Sequence, residues 1–131
     1  MATGLENLKV YQMAEKLELD LHEITKSFPK DEKFRSVDQI RRSSSSVANN
    51  IAEGYNRYSI KEKERSLIIS KGEAEETKRN ILKSAKKGFL SSGDAEEIAN
   101  RYTELLKGIS GYIRFLKGKQ LSNLKTNKLR N

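Results

Sequence analysis

Few residues in this chain have types and spacings that could support catalysis. His22 is the only histidine among 131 residues, and cysteine is absent. Glu18 and His22 stand four apart, so on a helix their side chains can approach. A di-iron bundle, however, needs two Glu-x-x-His elements and further inward glutamates. One histidine cannot supply them, and His22 reads as a surface or hydrogen-bonded residue. Ser43, Ser44, Ser45 and Ser46 offer four consecutive hydroxyls, but no recognisable motif places a histidine or lysine beside them as a base. Neither the G-x-x-x-x-G-K-[ST] nor the G-x-G-x-x-G phosphate loop occurs. The sequence therefore argues against an enzyme and calls for no cofactor, no metal and no small-molecule substrate.

The chemistry that the composition favours is ionic. A net charge of +8 and a pI of about 9.7 favour encounter with polyanions. The run from Lys78 to Lys87 carries five cations in ten residues and no acid, with Arg79, Lys83, Lys86 and Lys87 broadly on one side of a helix. One reading is structural, because cations near a helix C-terminus are stabilised by the helix dipole. The other is a phosphate-tracking patch, joined by Lys78 and reinforced by Arg57, Lys61 and Lys63 and by Lys117 and Lys119 at the start of a basic tail. Residues 117–131 hold five basic residues and no acidic one, whereas residues 1–116 hold 21 basic and 18 acidic. Charge alone gives salt-sensitive binding with little dependence on sequence. No aromatic stacking signature of RNA recognition is visible.

The elements that must position these residues are helices. One proline interrupts the chain, and apolar residues recur at intervals of three and four, an all-α pattern. The spacing predicts a first helix from about Leu5 to Ser27, with Val10, Ala14, Leu17, Leu21, Ile24 and Phe28 on one face, ended by Pro29. A second runs from about Asp31 to Arg57, with Val37, Ile40, Ser44, Val47, Ala48, Ile51 and Tyr55 inward. A third opens with the capping box at Ser59–Glu62 and runs to about Lys87, with Gly88 as its C′ residue. Its apolar face, Ile60, Leu67, Ala74, Ile81 and Ala85, is thin, and Ser70 and Thr77 fill the gaps, which suggests close helix packing. A fourth follows Ser91 or Ser92, and Ala95, Ile98, Tyr102, Leu105, Ile109, Tyr112 and Leu116 step along it without a fault. Short connections between long helices make neighbours antiparallel, so the expected architecture is an up-down-up-down four-helix bundle over residues 1–117. Residues 118–131 are expected to be a basic, disordered tail.

The second helix carries a further expectation. At 100° per residue, Gln39, Arg42, Ser46, Asn49 and Glu53 fall nearly opposite its apolar stripe. Small polar side chains let backbones approach and fix register by directional hydrogen bonds. This face, with the adjacent Asn50, reads as a subunit interface, across which Arg42 and Glu53 could pair. A solvated serine-rich surface and a ligand-binding face are the alternatives.

Three stretches carry a resemblance: Phe28-Pro29-Lys30-Asp31-Glu32, Gln39-Ile40-Arg41-Arg42, and Ser46 through Gly54, which ends in Asn-Ile-Ala-Glu-Gly. Together they resemble the S23, or 23S rRNA intervening-sequence protein, family of four-helix bundle proteins, over about residues 5–117. Gly72 and Glu76 fit the family's third-helix motif, while Glu73 stands in place of a usual serine and Ala48 in place of a frequent proline. The resemblance implies a long antiparallel bundle, assembly as a homopentamer, and no enzymatic activity. It also implies kinship with bundles that accompany reverse transcriptases and bind nucleic acid.

The expectation is thus a non-catalytic homo-oligomer that binds RNA, or DNA second, through its basic surface. The alternative is a protein-interaction scaffold without nucleic-acid affinity. No leader peptide or membrane span is visible, which suggests a cytoplasmic location.

Overall fold

Four helices form where the apolar spacing places them: α1 Lys9–Ile24, α2 Ser36–Asn56, α3 Ile60–Lys86 and α4 Ser92–Arg130. The computed structural model describes the backbone of residues 4–130 and side chains as far as Thr126; no strand occurs among the described residues.

Local chemistry sets the boundaries. After α1 a short 3-10 turn, Thr25–Ser27, leads into Phe28, whose backbone is extended at φ −67° and ψ 155°, as a residue before proline requires. The second helix begins later than its spacing suggests. Lys30–Glu32 form a separate 3-10 turn, and Arg35 leaves helical geometry at φ −121°, ψ −107°. Glu32 is buried there and accepts a hydrogen bond from the Ser36 hydroxyl. At the head of α3 the Ser59 hydroxyl accepts from the Glu62 amide at 3.1 Å, as the capping box predicts. At its foot Gly88 has φ +84°, and the Phe89 amide returns to the Ser84 carbonyl at 2.9 Å, a left-handed stop for which glycine is suited. Ser91 caps α4 by accepting from the Asp94 amide at 3.1 Å.

Cross-helix contacts pair the helices in opposite directions. Ser70 of α3 donates to the Val47 carbonyl of α2 at 2.7 Å, and Thr77, further along α3, meets Ser43, earlier in α2. Arg101 of α4 reaches Asp20 of α1 at 2.8 Å, and Lys117 of α4 reaches Glu64 of α3 at 2.9 Å. The core is the set of inward stripes: Leu17, Leu21, Ile40, Ile51, Leu67, Ile81, Leu105 and Ile109 are each no more than 1% exposed. Each such side chain stabilises the fold by about 1.5–3 kcal/mol relative to exposure. Phe28 and Phe89, 5.5 Å apart, close one end of the bundle.

The seam between α2 and α3 is built from small residues. Ser43, Ser44, Ser66, Ser70, Ala74 and Thr77 are buried. Ser44 is inward as expected, and Ser43 is an addition to the inward face of α2. A Cβ on Gly54 would lie 3.2 Å from the Lys63 carbonyl oxygen and 3.3 Å from the Ser66 Cβ. Poor helix formers are tolerated here because they let two backbones pack closely and satisfy each other's hydroxyls.

The tail differs from expectation. Residues 118–130 continue α4 rather than leaving the helix. The apolar stripe ends at Leu116, and everything described beyond it is exposed, so the helix outruns the bundle. Without a proline after Leu116 nothing interrupts the hydrogen-bond ladder.

Candidate nucleic-acid and subunit surfaces

The nine cations expected to contact nucleic acid fall into two groups. Arg57, Lys61, Lys117 and Lys119 lie at the end of the bundle where α2 turns into α3 and α4 departs. Lys78, Arg79, Lys83, Lys86 and Lys87 lie along the second half of α3. About 27 Å of helix axis separates Lys61 from Arg79. Between them the exposed side of α3 shows Ile68, Ile69, Glu75 and Glu76. Along α3 the two groups are thus separated by a stretch of mixed apolar and charged side chains, in which Arg65 is also exposed.

In the first group Lys61 and Lys119 make no ion pair among the described residues, and the other two do. Arg57 pairs with Glu53, and Lys117 with Glu64. Lys63 is used locally: its ammonium donates to the Gly54 and Tyr55 carbonyls at 3.3 and 2.8 Å, closing the C-terminus of α2. By contrast, Lys78, Arg79, Lys83, Lys86 and Lys87 make no ion pair among the described residues. Lys83 and Lys86, in the last turn of α3, lie where the helix dipole favours positive charge.

Sequence reading missed three cations. Lys71 and Lys78 of α3 and Lys107 and Arg114 of α4 line one shallow groove of about 370 Å³. Only Lys78 stands in the basic run. The other three are scattered in sequence and meet only because α3 and α4 pair antiparallel; no signal in the sequence alone could place them together.

On α2, Gln39, Arg42, Asn49 and Glu53 are exposed, and Ser46 and Asn50 are half-buried. Their polar groups are largely satisfied within the helix. Asn50 donates to the Ser46 carbonyl at 2.8 Å and Asn49 to the Ser45 hydroxyl at 3.3 Å. Arg42 and Glu53 do not pair with each other: Arg42 lies 3.6 Å from Asp38, and Glu53 holds Arg57. Both pairs are i,i+4 contacts along one exposed helix face. Gln39, Arg42 and Ser46 also line a polar cleft of about 410 Å³ against Glu73 and Glu76 of α3. Burial pushes the Glu73 carboxyl above its ordinary value, and neighbouring Glu76 adds to the rise.

The remaining motif residues serve the fold. The Arg41 guanidinium spans α2 to the end of α1, donating to the Thr25 hydroxyl at 2.9 Å and the His22 carbonyl at 3.0 Å. With the buried Glu32 and the tight seam at Gly54, these contacts give each of the three motif stretches a structural role that needs no ligand. His22 itself is exposed. No helix among the described residues is long and apolar enough to cross a membrane.

Residues 6–111 match the family described as 23S rRNA-intervening sequence protein. Among curated proteins nothing matches. Among solved structures the chain is similar to a protein with unknown function from the S23 ribosomal protein family of Bacteroides thetaiotaomicron. That crystal structure is 22% identical, with 79% of this chain and 97% of the other covered, at a TM-score of 0.71.

Proposed function

The chain belongs to the 23S rRNA-intervening sequence protein family, and from that premise we propose that it is a non-catalytic, cytoplasmic homo-oligomer that binds nucleic acid, RNA before DNA. The observation that carries this reading is the unpaired cation cluster on the second half of α3. Five cations without a carboxylate partner repel one another, and a polyanion relieves that repulsion while releasing its own counterions. A homopentamer, with the outward face of α2 between protomers, would multiply the cluster around the assembly. That raises avidity without any new contact type. The test is a titration of the full chain with generic RNA and DNA over a salt series. Affinity that falls steeply with salt supports the reading, and no binding at low salt overturns it.

A second reading rests on a different observation. Ile68, Ile69, Phe115, Leu121 and Leu124 are each between 48% and 62% exposed. Exposed apolar side chains of this size on α3 and the outer part of α4 favour a protein-interaction scaffold. Loss of self-association or partner capture on replacing them, with no nucleic-acid binding at any salt, would favour the scaffold.

A further inference from the structure

The groove between α3 and α4 has a shape that the α3 cluster lacks. Lys71 and Lys78 stand two turns apart on one helix, about 10 Å along its axis. Lys107 and Arg114 stand the same distance apart on the antiparallel neighbour, with axes roughly 8–10 Å away. The four cations form two parallel rows. Lys71, Lys78 and Arg114 make no ion pair among the described residues, and Lys107 holds only the exposed Glu104 at 3.4 Å. Glu75 is the one carboxylate lining the groove. Lys71 and Lys78 are half-buried, so their stems are held against the protein while their ammonium groups serve the groove.

The floor between the rows decides the ligand. It contains Leu106 and the hydroxyl residues Thr103 and Ser110, and no aromatic ring. Proteins that hold single strands stack the unpaired bases on aromatic side chains. Tyr112 and Phe115 of α4 stack on each other at 6.5 Å, and Tyr112 lines the opposite groove, against α1. Two cation rows without a stacking platform match an object with two rows of phosphate and no exposed base faces. Building on the nucleic-acid reading above, we propose that the α3–α4 groove grips the paired phosphate backbones of a nucleic-acid duplex, and that Lys71, Lys78, Lys107 and Arg114 make the chain prefer duplex over single strand.

The experiment is a low-salt anisotropy titration of the full chain with an RNA hairpin duplex, a DNA duplex of equal length and a single-stranded RNA homopolymer. Each is run with the native protein and with a Lys71→Ala, Lys107→Ala, Arg114→Ala variant. A control variant, Lys26→Ala, Lys30→Ala, Lys33→Ala, removes the same charge at the connection between α1 and α2. Circular dichroism confirms that all three proteins are folded. The expected result is at least tenfold tighter binding of a duplex than of the homopolymer. The groove variant should lose that preference and the control keep it. Tighter RNA duplex or tighter DNA duplex names which helical form supplies the two backbones, and either supports the proposal. Equal binding of single strand and duplex, or a preference that survives in the groove variant, overturns it while leaving nucleic-acid binding in place. No binding of any polymer overturns the underlying reading as well.

Discussion

The hydroxyls of Ser43 and Thr77 lie 2.7 Å apart between α2 and α3, both residues buried, and the Thr77 oxygen is also 2.8 Å from the Glu73 carbonyl. A bulkier residue at either position would push the helices apart. An apolar residue of equal size would leave the other hydroxyl without this partner.

Thr77→Val keeps the shape and removes the hydroxyl. The expected loss is about 0.5–1.5 kcal/mol, the net worth of one hydrogen bond, because the Ser43 hydroxyl keeps its 3.4 Å bond to the Ile40 carbonyl. Urea unfolding monitored by circular dichroism reads it. Gly54→Leu drives a side chain into the Lys63 carbonyl and Ser66, and overpacking of that kind costs about 1–3 kcal/mol or more.

Asp20 joins α1 to α4. Its carboxyl is held below the usual range, first by the Lys16 hydrogen bond and then by Arg101, against an opposing desolvation effect. A depressed carboxylate contributes stability above its unfolded value, near 3.9, and that contribution disappears as pH falls through the folded value. Stability of the native chain should therefore drop on the acid side of about pH 4 more steeply than that of Asp20→Asn. With both groups partly exposed, the difference at neutral pH should be about 1 kcal/mol or less. Thermal melts between pH 3 and 7 measure it.

Arg79 and Lys83 provide a test of counterion release. Replacing both with glutamine should lower affinity for RNA and flatten the plot of log K against log salt by roughly 0.7–0.9 per lost phosphate contact. An unchanged slope would remove these two from the interface.

Asn49 is exposed on the outward side of α2. If that side joins protomers, Asn49→Lys places a long charge in the contact, and the mass measured by light scattering should fall. An unchanged mass returns the face to solvent.

Much of the bundle is legible in the chain because its signals are periodic. The stripe of α4 and the caps at Ser59 and Gly88 each report local geometry, and local geometry is what residue spacing encodes. The delayed start of α2 was not legible, since it depends on how Arg35 leaves helical geometry before Ser36. Nor was the inward turn of Ser43, because whether a serine faces a core depends on how closely a neighbouring helix comes. The groove cations are the clearest case. Lys71 and Arg114 are 43 positions apart, and only the antiparallel pairing of α3 with α4 brings them to one surface. The same physics explains the family motif. In this chain Glu32, Arg41 and Gly54 of the motif hold connections and seams, so the motif announces architecture more clearly than activity.

Removing residues 118–131 should leave the melting temperature almost unchanged, because no described side chain past Leu116 is buried. The shortened chain should nevertheless bind RNA more weakly, having lost four of its cations. Calorimetry and the salt titration separate the two effects.

The long fourth helix makes a mechanical demand on any partner. From Ser92 to Arg130 it is one continuous helix, and roughly 20 Å of it lies past Leu116. A partner laid along that projecting length would be lined up with the axis of α4, and so with the α3–α4 groove beside it.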